Sequence, residues 1–189
     1  MKSRTFIRIG VIFILLALIL TGFNFMQSNK AGKDAGNAYG VLSSMIPDAY
    51  GASINPDREM PVEVIDGVEY IGKIEIERLN LKLPVLAEVT DSNLNIGPCR
   101  YKGSAYKDNM IIAAHNYWTH FAYINKLAPG DEVKFTDVEG NEFVYRVSYM
   151  ESIKGTSVNL MEDGDWDLTL FTCTLGGANR YTVRCEKEY

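Results

Sequence analysis

The sequence predicts an all-β domain, a barrel or sandwich of about seven short strands, carried behind a single N-terminal membrane-spanning helix. Two observations carry this reading. A long apolar stretch opens the chain, and strand-length runs bounded by turn residues fill the region from Tyr70 onward, with one helix-like spacing among them. At 189 residues and 47% hydrophobic composition, the chain has room for one globular core and an appendage.

The apolar stretch runs from Ile9 through Met26, interrupted by the polar Thr21 and Asn24, and so approaches the ~20 residues that cross a bilayer. Lys2, Arg4 and Arg8 precede it. The positive-inside tendency keeps residues 1–8 in the cytoplasm and sends the rest outside. A cleaved export signal is the competing reading. It calls for a shorter apolar core and a small-x-small site, but the bulky Phe23, Phe25 and Met26 follow here, with Ala31 and Ala35 a little further on. Both readings place the domain outside the cytoplasm. The anchor reading gives a single-pass protein of the cell membrane: span 9–26, stalk 27–61 and folded domain 62–189. The net charge of -5, with no basic stripe, excludes nucleic acid as a partner.

Between Gln27 and Pro61, glycines and prolines punctuate a weakly periodic stretch. It reads as a stalk with one short helix around Ala38 to Met45. From Tyr70, the alternation that sets Ile74 and Ile76 against Lys73, Glu75 and Glu77 marks a first strand. Further strands are expected at Leu81 to Leu86, Met110 to Ala114, Asp131 to Phe135, Glu142 to Glu151, Leu168 to Cys173 and Tyr181 to Cys185. Pro84 would put the first of these at an edge or bulge. A helix is expected over Trp118 to Leu127, where Phe121, Ile124 and Leu127 recur at helical spacing before Pro129-Gly130.

Three cysteines in an exported chain leave at least one thiol unpaired. Cys173 ends a strand that opens into Gly176-Gly177, so its side chain sits at the rim of the core. Taken alone, it reads as a buried structural thiol or as a nucleophile. A nucleophile needs a neighbouring base or cation, and the chain has two histidines. His115 ends the apolar run Met110 to Ala114. His120 falls beside Phe121 in the expected helix and reads as a surface residue, in reserve as a base. Arg180, on the returning strand, could face the thiol and stabilise an oxyanion. Arg184 points to the same face about 13 Å further along and cannot serve the same oxyanion. Thr172 and Asn116 adjoin Cys173 and His115 and could hydrogen-bond a substrate. The acidic residues Glu162, Asp163, Asp165 and Asp167 lack EF-hand spacing and read as a solvated turn, and no Cys/His spacing suits zinc. No cofactor or metal is expected, and calcium dependence stays open.

Thr169-Leu170-Phe171-Thr172-Cys173, with Arg180 on the next strand and Ala114-His115-Asn116 upstream, resembles the T-L-x-T-C signature and catalytic set of the sortase family. Ile71 to Ile76 and Leu81-Lys82-Leu83-Pro84-Val85 are similar to its opening strands. The resemblance implies a sortase-like closed β-barrel of about seven or eight strands with one or two short helices. It also implies a cysteine transpeptidase, in which Cys173 is the nucleophile, His115 the acid/base and Arg180 the oxyanion cation. The implied partners are a protein with an LPXTG-like sorting signal and an amine acceptor on cell-wall precursor or pilin. Ala114 departs from the glycine found before the histidine in many members. Two alternatives keep the same residues: a surface cysteine protease, if water outcompetes the amine, and a non-enzymatic surface β-barrel in which Cys173 is inert.

Overall fold

A computed structural model of the chain describes residues 2–48 and 54–188. Among these residues, nine strands form one sheet. They are β1 (Glu63–Ile65), β2 (Val68–Ile76), β3 (Leu81–Leu86), β4 (Cys99–Lys102), β5 (Met110–Ala114), β6 (Glu132–Asp137), β7 (Glu142–Lys154), β8 (Leu168–Cys173) and β9 (Asn179–Lys187). The order is β1-β2-β3-β4-β5-β8-β9-β7-β6, and β6 also pairs with β2. That last pairing closes strands β2 to β9 into an eight-stranded barrel, with β1 left as a short flap on β2.

Closure depends on one residue. Gly72 pairs with both Val85 on β3 and Asp137 on β6, beside a register shift between Tyr70 and Gly72. A Cβ at Gly72 would lie 2.1 Å from the Thr136 carbonyl oxygen, so only glycine lets the closing strand approach this far. Inside the barrel, Ile74, Ile76, Met110, Ile112, Phe135, Tyr145, Leu170 and Val183 are buried in one cluster. These residues alternate along their strands with outward positions, as the strand pleat requires. Pro84 sits on a stretch of β3 with a single strand neighbour, because β3 meets β4 only at Leu86↔Cys99; the missing N–H of proline costs no ladder bond there.

The N-terminal segment is a single helix, α1 (Lys2–Met45). Its apolar stretch is unburied, and the helix is long and apolar enough to cross a membrane. Beyond Met26 the expected stalk is not extended chain but the continuation of this helix, as far as Met45. Residues 49–53 of the stalk lie outside the described residues. Gly32, Gly36 and Gly40, read as punctuation, are helical, and Gly32 makes close packing possible: a Cβ there would stand 2.6 Å from Thr119 Cγ2. Ser28, Ala31, Ala35 and Leu42 are buried where the helix lies on the barrel.

The segment from Trp118 to Leu127 is a series of turns ending in a 3₁₀ turn at Ile124–Lys126, not an α-helix. The helical spacing of Phe121, Ile124 and Leu127 does reflect burial, since all three enter the core. Two short helices complete the fold: α2 (Asp91–Ile96), capped by the Thr90 side chain accepting from Asn93 N–H, and α3 (Val158–Glu162).

Gly72→Ala is expected to cost roughly 3 kcal/mol or more, because backbone on β6 must move away. Chemical denaturation of the variant beside the parent checks this, and an unchanged midpoint would mean that closure does not depend on this contact.

Candidate active site

The site grows from one parallel pairing. β5 and β8 run side by side in the register Met110↔Leu168 to Ala114↔Thr172. Continued by one residue, that register sets His115 level with Cys173. Because Ile112, Ala114 and Leu170 point into the core, His115 and Cys173 fall on the outer face, and both are half-buried. Antiparallel β9 supplies the other side, where Cys173↔Arg180 is the last pair of its ladder. Directly paired residues share a face, so thiol, imidazole and guanidinium side chains leave the same end of the same surface.

The turn after Cys173 is well defined. Thr174 N–H donates to the Asn179 carbonyl at 2.9 Å and Gly177 N–H to the Thr174 carbonyl at 2.8 Å. Gly176 and Gly177 take φ of 83° and 73°, left-handed values natural to glycine. Arg180 Nη1 donates to the carbonyls of Gly177 at 3.0 Å and Asn179 at 3.2 Å. The guanidinium is therefore held at the turn by neutral acceptors, not by a carboxylate.

Thr172 points inward. It is 1% exposed, and its hydroxyl donates to the Ala114 carbonyl at 2.8 Å. The bond ties the ends of β5 and β8 together immediately before His115 and Cys173. Asn116, by contrast, is exposed.

Two features escaped sequence reasoning. Phe171, two residues before Cys173 on the same face, meets Tyr101 edge-on at 5.4 Å between centroids. The two rings, with Val158, Met161 and Arg180, line a cavity of about 130 Å³. The period-2 spacing of Phe171 and Cys173 was the available signal. The second feature is Arg184, which is 2% exposed. Its guanidinium donates to Met161 and Leu160 carbonyls at 2.8 and 2.6 Å, to Thr169 Oγ1 at 3.1 Å and to Glu151 at 2.9 Å. It clamps α3 over the outer face of β8 and β9 and so builds one wall of the cavity.

The histidines differ. His115 packs on the Tyr117 ring at 4.9 Å, and Tyr117 packs on His120 at 5.4 Å. Burial lowers the His115 pKa, and the Asp91 carboxylate on α2 partly restores it. His120 is fully buried beneath α1, not on the surface, because the turns that replace the expected helix roll it inward. Neither of its ring nitrogens makes a hydrogen bond of good geometry, the Ala31 backbone being only loosely placed toward the ring, and burial pushes its pKa down to about 4. Nearby His115 lowers it further, and the Ala31 backbone partly offsets both effects. Cys99 and Cys185 are buried free thiols, and burial raises both pKa values, that of Cys99 to about 12.

Together these features describe a closed β-barrel with a half-buried thiol, an imidazole and a guanidinium at the ends of three adjacent strands. Known proteins share that architecture. A model of the sortase domain matches residues 74–188, and the chain belongs to the sortase family. Sortase A of Bacillus anthracis is 26% identical over 198 residues, covering 96% of this chain and 94% of that protein. Among solved structures, Streptococcus agalactiae sortase C1 superposes with a TM-score of 0.58 at 24% identity, covering 67% of this chain and 71% of that one. A Clostridium perfringens sortase D5 transpeptidase gives 0.57 at 24%, covering 67% and 83%. Listeria monocytogenes sortase A gives 0.55 at 23%, covering 64% and 88%.

The two histidines should respond to pH in different ways. An NMR titration of His115 should show a midpoint below its ordinary 6.5, and Asp91→Asn should move it further down by removing the carboxylate. For His120, the unfolded chain takes up a proton near pH 6.5, whereas the folded chain does so only near pH 4. Its contribution to stability is therefore complete above pH 6.5 and is lost as pH falls toward 4. The loss should be on the order of 3 kcal/mol. Denaturation at pH 7 and pH 4.5 should show a smaller difference for His120→Phe than for the parent.

Proposed function

We propose that this sortase is a membrane-anchored cysteine transpeptidase acting on an LPXTG-like sorting signal. The observation that carries this reading is the register that sets His115 and Arg180 on either side of Cys173 on one face. The thiolate of Cys173 attacks the carbonyl carbon of the scissile peptide bond. The carbonyl oxygen becomes an oxyanion, and the Arg180 guanidinium exchanges its two backbone acceptors for this stronger one. As the tetrahedral intermediate collapses, the C–N bond breaks, His115 gives its proton to the departing amine, and a thioester remains on Cys173. An acceptor amine then attacks the thioester, His115 takes its proton, and a new amide leaves with Cys173 restored.

The cavity between Phe171 and Tyr101 suits an apolar side chain of the signal ahead of the scissile bond. Exposed Asn116 is available to a substrate backbone, whereas Thr172, through its bond to Ala114, positions the pair. The acceptor amine belongs to cell-wall precursor or pilin. In this reading residues 1–8 lie in the cytoplasm, the span covers 9–26 and the barrel stands outside, so both substrates are met at the outer surface.

Intact mass of the protein with LPXTG-like peptides should show an acyl adduct that is absent in Cys173→Ala and is discharged by an added amine into a ligated peptide. Discharge by water alone would mean a protease, and no adduct with a folded protein would mean a binding barrel. Arg180→Ala should slow adduct formation by about 10²-fold or more, the usual cost of removing an oxyanion donor.

A further inference from the structure

α1 is one continuous helix from Lys2 to Met45, so heights above its apolar stretch can be counted at 1.5 Å per residue. Contacts with the barrel climb it in order. Trp118 stacks on Phe25 with ring centroids 6.3 Å apart. Thr119 Oγ1 donates to the Ser28 carbonyl at 3.0 Å and packs against Gly32. Higher up, Tyr39 bonds Glu75, and Leu42 packs in a cluster with Tyr70, Leu86 and Cys99. Of these contacts on α1, the lowest are therefore made by the loop from Tyr117 to Tyr123. The apolar run Ile9 to Met26 spans about 27 Å as helix, close to the thickness of a bilayer's hydrocarbon core. Phe25 lies at its upper end, which holds Trp118 at the level where hydrocarbon gives way to headgroups.

We infer that this rim docks on the outer-leaflet interface of the bilayer, with Trp118 and Tyr123 as interfacial anchors and lysines facing the headgroup phosphates. This rests on the anchor reading of α1 given above. Trp118 and Tyr123 are each 45% exposed, although large aromatic rings favour burial, and the membrane interface is where such amphipathic rings concentrate. Both rings line a groove of about 550 Å³ between α1 and Leu79 to Leu83, into which Lys33 and Lys82 also project. Lys126 Nζ lies 4.1 Å from the Tyr123 ring centroid, which places a further cation beside an anchor ring. Lys30 and Lys33 stand about one and two turns above Met26, at headgroup height. The docked loop begins immediately after His115 and Asn116, so the membrane surface becomes a support for the main chain that carries the proposed base.

Trp118 and Trp166 are the two tryptophans of the chain, so Trp166→Phe leaves Trp118 as the sole reporter. The full chain is reconstituted in phosphatidylcholine–phosphatidylglycerol vesicles whose acyl chains are brominated either near the headgroup or at the chain end. A Phe13→Trp change, made on a background of Trp118→Phe and Trp166→Phe, reports the span itself. Docking predicts that Trp118 emission is lost more to the shallow bromines than to the deep ones and is shielded from aqueous iodide, while the Phe13→Trp reporter responds most to the deep bromines. If the span reporter is quenched but Trp118 is quenched only by iodide, docking is overturned and the anchor stands. If neither responds to bromine, the anchor reading fails and docking falls with it. Should Trp166→Phe not fold, the difference in quenching between the parent and Trp118→Phe isolates the Trp118 signal and decides between the same outcomes.

Discussion

The parallel alignment of β5 with β8 is the constraint on which the site depends. The two strands are far apart in sequence, yet Ala114 and Thr172 end up opposite each other. A slip of one residue would send His115 and Cys173 to opposite faces. Three features hold the register. All five residues of β5 are buried, so its pleat is fixed by the core inside and by packing outside. Leu168 and Leu170 have 0% exposure on the facing strand. The Thr172 hydroxyl, bonded to the Ala114 carbonyl, fixes the last step of the ladder. Moving Thr172 out of register would also leave a buried hydroxyl without a partner, which adds to the cost of slipping.

Much of this was legible in the sequence, and the reasons differ from element to element. β3, β5 and β8 agree with the expected runs because each is a compact apolar segment between turn residues. β4 escaped because Cys99-Arg100-Tyr101-Lys102 is short, lies at a bulge and has exposed residues at its end. β1 was missed although Asp66-Gly67, at φ of 52° and 78°, forms the tight turn into β2. Asp-Gly between apolar runs is a strong hairpin signal. The closing β2–β6 pairing had no local signature, since it joins strands about 60 residues apart. Its one trace is Gly72, a glycine inside the alternating run.

The candidate site was legible at its ends and not in its surroundings. Cys173, His115 and Arg180 each sit at a strand terminus next to a turn, a place that periodicity reveals. What encloses them comes from elsewhere. Arg184 reads as an outward charge from its spacing, yet long-range packing of α3 buries it and gives its guanidinium four acceptor groups. His120 reads as a surface residue under a helical period and becomes a core residue once the segment is folded as turns. In both cases the period assigned the face, and the neighbouring element decided whether that face met water.

The two buried thiols also set the redox character of the molecule. Cys99 and Cys185 are both inside the barrel wall with 0% exposure, where burial disfavours their thiolates. Among the described residues, an electrophile arriving from outside meets a single accessible thiol, on Cys173. With both other thiols shut inside the wall, this half-buried thiol is not sequestered in an internal disulfide. Oxidation of the core thiols and oxidation of Cys173 are thereby separated: the former requires the barrel to open, the latter only one collision at its rim.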